Sequence, residues 1–436
     1  MPRFGANTPI GPNSGVAKRQ AGVPGSRNGP SPAPGPLGVR ETRSATRKLP
    51  RSSIQSWLIA AAIVGSALIA VRSSQNLAPV DLLLFFLVLL GVPALLTSSS
   101  FPARRFRIAM PWLWILALAG IVSLFTAGIQ FDILLAMAKE LLPVPTFFAA
   151  WYFLSRSSRG VTICIRALVL AGAVVAVAVL FGHGLRGEGT FTNPNYAGHL
   201  LGCALVVTWL GSRPKFQRVA LTLLFGAAMV RTGSFGAWLV VVGAVAYWLW
   251  SRPVRKGSME MTAVRCLLVL LLASTALAFW SNISASNFDL GSGLNEQRFD
   301  RSRSARLDLW RSGYDEWISH PIGIGSGRRV NVGGSATGAT SELHNDAVAF
   351  LVGNGPLGLL AVVALVIVIW RSLGRGGPGR ALLAGLIASS LVRQTWNFRH
   401  AWLMLAVVAA YEMADWTRHK ADAVPAVDAG ARAKAL

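Results

Sequence analysis

The stretch "SELHNDAVAFLVGNGPLGLLAVVALVIVIW", residues 341–370, begins polar and ends in a run without a single charge. As one straight helix, Glu342 to Trp370 would reach about 45 Å at roughly 1.5 Å per residue, well past a bilayer core of about 30 Å. Asn354-Gly355-Pro356 is where such a helix breaks, because proline lacks a backbone donor and glycine tolerates conformations that other residues avoid. The stretch therefore reads as a short interfacial helix over 342–353 followed by a membrane span over 357–370. His344 then lies at the membrane surface.

The rest of the chain agrees with a membrane setting. It has 436 residues, 53% of them hydrophobic and 14% charged. Apolar runs fall near 55–71, 78–97, 108–128, 131–154, 161–182, 194–210, 216–232, 234–250, 263–281, 356–370, 380–396 and 400–416, which predicts an all-α polytopic protein of about twelve spans. Cys164, Cys203 and Cys266 all sit inside such runs, so they form neither a disulfide framework nor a CxxC metal site. The net charge of +24 is spread through short loops between spans, a topogenic pattern that argues against a nucleic-acid partner.

Residues 1–54 are rich in Pro, Gly, Ser and Arg and read as a disordered basic cytoplasmic tail, without the apolar core of a signal peptide. From that tail the positive-inside rule can be tested. Alternate connections carry the basic residues: "PARRFR" (102–107), "SRSSR" (155–159), "SRPKFQR" (212–218), "SRPVRK" (251–256), "RSLGRGGPGR" (371–380) and "RHK" (418–420). Both termini are expected inside, with spans one to nine over 55–281, three further spans over 356–416 and a cytoplasmic tail over 417–436.

Between the ninth and tenth spans, residues 282–355 form a large extracytoplasmic loop. Within it, "RLDLWRSGYDEWISH" (306–320) places Leu307, Leu309, Trp310, Tyr314, Trp317 and Ile318 at the spacing of an amphipathic helix. "PIGIGSGRR" (321–329) follows as a glycine-rich turn.

The predicted outer face collects an unusual set of residues. "GHGLRGEGTFTNPNYAG" (182–198) supplies Arg186, Glu188, Asn193 and Asn195, with His183 beside them. Arg231 ends a span, Arg393, Arg399 and His400 bracket "QTWNF", and the long loop adds Arg306, Glu342, His344 and Asn345. Cations concentrate where topology rules expect few, and in that setting they pair with one another or mark a substrate path. Arginine's planar fork suits phosphate oxygens, and a neutral imidazole suits proton abstraction from a hydroxyl. Arginines with a histidine fit transfer from a diphosphate-linked donor to an acceptor hydroxyl, the leaving diphosphate being stabilised by guanidinium rather than by metal or another cofactor.

Blander readings stand beside these. An arginine next to a glycine turn also anchors lipid phosphate, and a histidine at a helix start also serves as a cap. His199 lies one turn past Asn195 and lines the same face. Lys139 and Glu140, adjacent within a span, are expected to point into the protein or a cavity.

"RGEGTFTNPNYAG", "RLDLWRSGYDEWISHPIGIGSG" and "LHNDAVAFLVGNGPLGLL" together resemble the O-antigen ligase and polymerase superfamily, over about residues 180–370. The resemblance implies a GT-C-like membrane glycosyltransferase of polysaccharide and cell-envelope biosynthesis, with no metal requirement. Its donor would be a glycan on undecaprenyl diphosphate, and its acceptor a hydroxyl of a glycan, lipid or protein. It carries Arg186 to a place near the diphosphate, His344 to the role of base or acceptor-orienting group, and Arg306 to the basic residue opening the loop helix. The family's Ser-Arg-Gly element is "SFG" at 234–236 here, so Phe235 stands where an arginine is usual. Arg231, four residues earlier and on about the same helix face, is the candidate replacement.

Two other functions compete. A polyprenyl-linked oligosaccharide flippase would carry midplane polar residues and two related halves, and neither is evident. A cell-wall polymerase of the shape-and-division type would rely on an acidic residue, Glu188 or Asp308, ahead of His344.

Overall fold

A computed structural model describes residues 54–68, 79–128, 130–182, 189–191, 193–209, 214–251, 296–327, 330–331, 340–341 and 343–423. The basic tail before Ile54 and the span expected at 263–281 lie outside the described residues.

Thirteen helices are present among the described residues: α1 (Ile54–Leu68), α2 (Pro79–Thr97), α3 (Phe101–Ala127), α4 (Phe131–Leu141), α5 (Pro143–Leu154), α6 (Ser158–Phe181), α7 (Pro194–Thr208), α8 (Lys215–Thr232), α9 (Phe235–Ser251), α10 (Glu296–Ser319), α11 (Asp346–Ser372), α12 (Pro378–Ser390) and α13 (Arg399–Ala423). The only sheet among them is a two-residue antiparallel pair, Val330 opposite Ser341 and Asn331 opposite Thr340.

Among the described residues, five segments are long and apolar enough to cross a membrane: Pro79–Thr97, Phe101–Thr126, Ile133–Leu154, Ser158–Phe181 and Asp346–Ser372. Six more of the expected spans are helical but shorter or less apolar. Large apolar side chains stand exposed in rows, Phe85, Phe86, Leu89 and Leu90 on α2, Leu357, Leu360, Val363 and Ile367 on α11. Water would not tolerate rows of this kind, whereas lipid tails match them. Inside the bundle, α5 buries Phe147, Phe148 and Trp151, the last two in ring contact with Phe106 and Phe101 of α3, and α5 also packs along α13, whose Leu403–Ala410 run is buried throughout. A helix apolar on every side belongs in such a position.

Several boundaries differ from the sequence reading, each for a local reason. "PARRFR" is the first part of α3 rather than a loop, and Arg107 Nη1 reaches back to the carbonyls of Leu95, Leu96 and Ser98, 2.7 Å from the last. A side chain thus satisfies carbonyls that the end of α2 leaves open. The run 131–154 divides at Leu142-Pro143 into α4 and α5. Helix α12 stops at Ser390, leaving "LVRQTWNF" (391–398) non-helical. Glu412 of α13 accepts from the Gly374 and Gly379 amides, 3.2 and 2.5 Å away, and so caps the start of α12.

The break at Asn354-Gly355-Pro356 is present. Gly355 has φ 66° and ψ −173°, outside the helical region, and splits α11 into two helical pieces. The first piece starts at Asp346 and not at 342, so His344 precedes the helix. The turn 321–327 covers the break: Ile324 N–H donates to Val352 O (2.9 Å) and Gly325 N–H to Gly353 O (3.0 Å). A Cβ on Gly355 would fall 2.9 Å from the Ile322 carbonyl oxygen, so two backbones meet where no side chain fits.

Candidate functional site

Helices α2, α4 and α5, the 321–327 turn, the start of α11 and the 391–398 segment enclose a cavity of about 490 Å³. Its lining includes the charged residues Asp81, Lys139, Glu140, Asp346 and Arg399, the amides Gln394 and Asn397, and the aromatics Tyr196, Trp396, Phe398 and Trp402. Lys139 and Glu140 face a cavity, as their place in an apolar run requires.

Three carboxylates build the walls. Asp81, in the first turn of α2, pairs with Arg399 through two contacts, Nε to Oδ1 and Nη2 to Oδ2, the latter 2.6 Å. Asp346, in the first turn of α11, accepts from Thr395 N–H (2.9 Å), Thr395 Oγ1 (2.7 Å) and Trp396 N–H (3.1 Å), which fixes the non-helical segment. Glu140 Oε2 accepts from Asn354 Nδ2 (2.8 Å) and lies 2.8 Å from Ser326 Oγ. That hydroxyl is also 2.9 Å from Asn354 Oδ1, so the three side chains form a closed triangle joining α4, the turn and the break in α11. Trp396 is held a second time, its indole donating to the Glu140 carbonyl at 2.8 Å.

In sequence His344 stands between the lining residues Leu343 and Asp346, without itself lining the cavity. It is half-buried, and it is the one non-glycine residue with positive φ (50°) among those described. Both flanks are pinned. The Leu343 carbonyl accepts from the Trp310 indole at 3.1 Å. Asn345 caps α11, its Oδ1 accepting from Val348 N–H (3.1 Å) while Nδ2 donates to Leu391 O (2.9 Å). The loop helix α10 thereby docks through Leu309, Trp310 and Trp317, with Tyr314 and Ile318 left exposed.

The remaining sequence candidates distribute as follows. Asn193 caps α7, its side chain accepting from Asn195 N–H at 2.9 Å. Arg231 donates from Nη2 to Gly182 O at 3.0 Å, at the root of the segment that carries Arg186 and Glu188. Those two residues and Glu342 lie outside the described residues, and Arg306 falls within α10. Arg393 is buried, its guanidinium 4.9 Å from the Tyr196 ring centre and 5.3 Å from that of Phe398. Its chain passes Gly236, where an added Cβ would lie 3.6 Å from Arg393 Cδ, next to Phe235. His199 and His400 meet in the interior, Nδ1 to Nε2 at 3.0 Å. Among the described residues, no three of His, Cys, Asp and Glu are arranged to hold a metal ion.

Asp81, Ser326, Thr395 and Trp396 are not among the candidates read from sequence, and Asn354 is read there only as part of a helix break. Asp81 had a usable signal, an acid inside an apolar run that must find a partner. Ser326, Asn354 and Thr395 had none, since ordinary polar residues in turns and helix breaks declare no partner.

No curated protein matches the chain. Residues 220–363 match the family model described as O-antigen ligase. That interval contains most of α8, all of α9 and α10, the 321–327 turn, His344 and the break in α11; of these, the turn and the first piece of α11 line the cavity. Over these residues, about a third of the chain, the protein is similar to the O-antigen ligase family.

Proposed function

We propose that this protein transfers a glycan from a polyprenyl diphosphate to an acceptor hydroxyl, on the outer face of the cytoplasmic membrane and without a metal ion. The carrying observation is the polar cavity at the break in α11, walled by acids, amides and arginine, with His344 in the short segment between its lining residues Leu343 and Asp346. A space of this kind inside an apolar bundle suits a hydroxyl-rich substrate meeting a lipid-bound one.

In this reading His344 takes the proton of the attacking hydroxyl or orients it. Its left-handed backbone, pinned on both sides, aims the ring without a long helix. Arg186, with Arg231 at the base of its segment, faces the diphosphate. Arg393 and Arg231 are the two arginines closest to supplying the guanidinium absent at Phe235. Arg399, already held by Asp81, offers its remaining donors to the cavity. Asn193 and Asn345 act as helix caps that fix the segments on either side, and Arg306, Glu188, Asn195 and Glu342 contribute to binding. The donor class is an undecaprenyl diphosphate glycan, and the acceptor a glycan, lipid or protein.

The test is transfer by the purified protein in liposomes, from the polyprenyl diphosphate-linked glycan fraction of its own cells, with EDTA present. Product formation under chelation is expected. Activity that vanishes with EDTA and returns with magnesium or manganese would transfer the reading to a cell-wall polymerase. Movement of donor across the bilayer with no new glycosidic bond would make the protein a flippase.

A further inference from the structure

Of the three carboxylates lining the cavity, two are fully engaged. Asp81 is held across both oxygens by Arg399, and both oxygens of Asp346 accept from the 395–396 backbone. Glu140 differs. Its Oε2 takes both of its contacts in the triangle, with Ser326 and Asn354, while Oε1 accepts no hydrogen bond among the described residues. Oε1 is also absent from the buried polar atoms that lack partners, so it is open to the cavity that the residue lines.

A carboxylate with one oxygen clamped cannot swing to follow a ligand, and its other oxygen becomes a fixed acceptor. Such an oxygen binds donors, not phosphate. Hydroxyls are the donors that suit the surroundings, since Gln394 and Asn397 add amides and Tyr196 and Trp402 add rings to the lining of the same cavity. Planar polar groups beside rings match a sugar, whose equatorial hydroxyls radiate near the ring plane and whose C–H faces are apolar.

We infer that Glu140 binds the acceptor directly: Oε1 accepts a hydrogen bond from an acceptor hydroxyl while Oε2 locks the 321–327 turn onto the break in α11. The inference rests on the proposed glycan transfer for the identity of the ligand. It assigns the acceptor, and not the diphosphate, to the part of the cavity beside α4. It also makes acceptor binding depend on the same turn that leads to His344.

The two duties separate by substitution. In Glu140→Gln the amide oxygen can still accept from Ser326 and Asn354, and the NH₂ group replaces the free oxygen, so a donor stands where an acceptor stood. Ser326→Ala does the reverse, weakening the clamp and keeping the carboxylate. Calorimetry measures binding of the water-soluble glycan released by mild acid from the cells' own envelope glycolipid, to full-length protein in nanodiscs. Transfer kinetics give KM for acceptor and donor.

Glu140→Gln is expected to melt near the wild type, to bind the released glycan about tenfold more weakly and to raise the acceptor KM by a similar factor, with the donor KM unchanged. Ser326→Ala is expected to melt lower and to bind more nearly like the wild type, and Glu140→Asp to recover part of the affinity. Equal binding by the wild type and Glu140→Gln overturns the inference, as does a wild type that binds no glycan. Weaker binding in Glu140→Gln with no transfer even by the wild type upholds the hydroxyl site and removes the proposed reaction instead.

Discussion

Arg399 grips Asp81 with two donors on one carboxylate, across 318 residues of chain. The pair ties the start of α13 to the start of α2 at the cavity wall, and Asp81 is nearly buried while a quarter of the Arg399 side chain remains exposed. Losing one partner of such a pair leaves the other charged and poorly solvated, at a cost of about 3 kcal/mol. Asp81→Ala and Arg399→Ala should each lower the melting midpoint in detergent more than the double replacement does. Additive losses would show that the two side chains are independent.

Asp346 satisfies two backbone amides and a hydroxyl in a segment that has no helix to support it. Asp346→Ala should destabilise the protein by about 2–3 kcal/mol, and Asp346→Asn by less, because one acceptor oxygen survives. Thr395→Val, which removes only the hydroxyl contact, should cost about 1 kcal/mol. The ordering of the three midpoints is the measurement, and a neutral Asp346→Ala would contradict the role given to the carboxylate.

Gly355 occupies a conformation that side chains avoid, with the Ile322 carbonyl against the place where a Cβ would go. Gly355→Ala should cost about 1–3 kcal/mol. It should also expose the 321–327 turn to protease in protein held in nanodiscs. Pro356→Ala, which leaves that backbone conformation available, should do much less. Equal protease resistance in all three would detach the turn from the break.

His344 lets backbone and side chain be tested apart. His344→Ala should lose about 10²- to 10⁴-fold in transfer while inserting normally, as expected when general-base help is removed. His344→Gly should lose as much activity yet be the more stable of the two variants, since glycine relaxes the positive φ. Arg186→Ala should weaken both donor binding and turnover, and Arg186→Lys should recover only part of each. Near-normal transfer by His344→Ala would make the histidine a structural residue and end the mechanism proposed for it.

The orientation of the bundle is checked with impermeant thiol reagents on a cysteine-free background. A cysteine at Ser319, exposed at the end of α10, should label in intact cells, and one at Ser158, exposed at the start of α6, should label only after lysis. Labelling in the opposite sense would turn the cavity toward the cytoplasm.

What the sequence disclosed follows from the range of the forces involved. The break in α11 was legible because Gly and Pro act on their own backbone, and Leu309, Trp310 and Trp317 of the α10 docking face because apolar spacing is local, although Tyr314 and Ile318 of the same spacing stay exposed. Lys139 and Glu140 were legible as cavity residues because a charge in an apolar run has few other places to go. The partners were not legible. Nothing near Asp81 announces Arg399, and nothing near Asn345 announces that its amide caps α11 and reaches the Leu391 carbonyl. "PARRFR" misled because basic residues mark topology equally well from a loop or from the first turns of a helix.

The triangle of Glu140, Ser326 and Asn354 also sets an order of events during synthesis. Its members are separated by 186 and 214 residues. At roughly 5–20 residues per second, Glu140 waits roughly 10–40 s in the growing protein before either partner has been made. Throughout that interval an acid stands in a half-built bundle without the contacts that later hold it, and the ribosome must finish the last quarter of the protein before the cavity can close. Newborn chains stopped short of Asn354 should therefore be prime targets for membrane quality control.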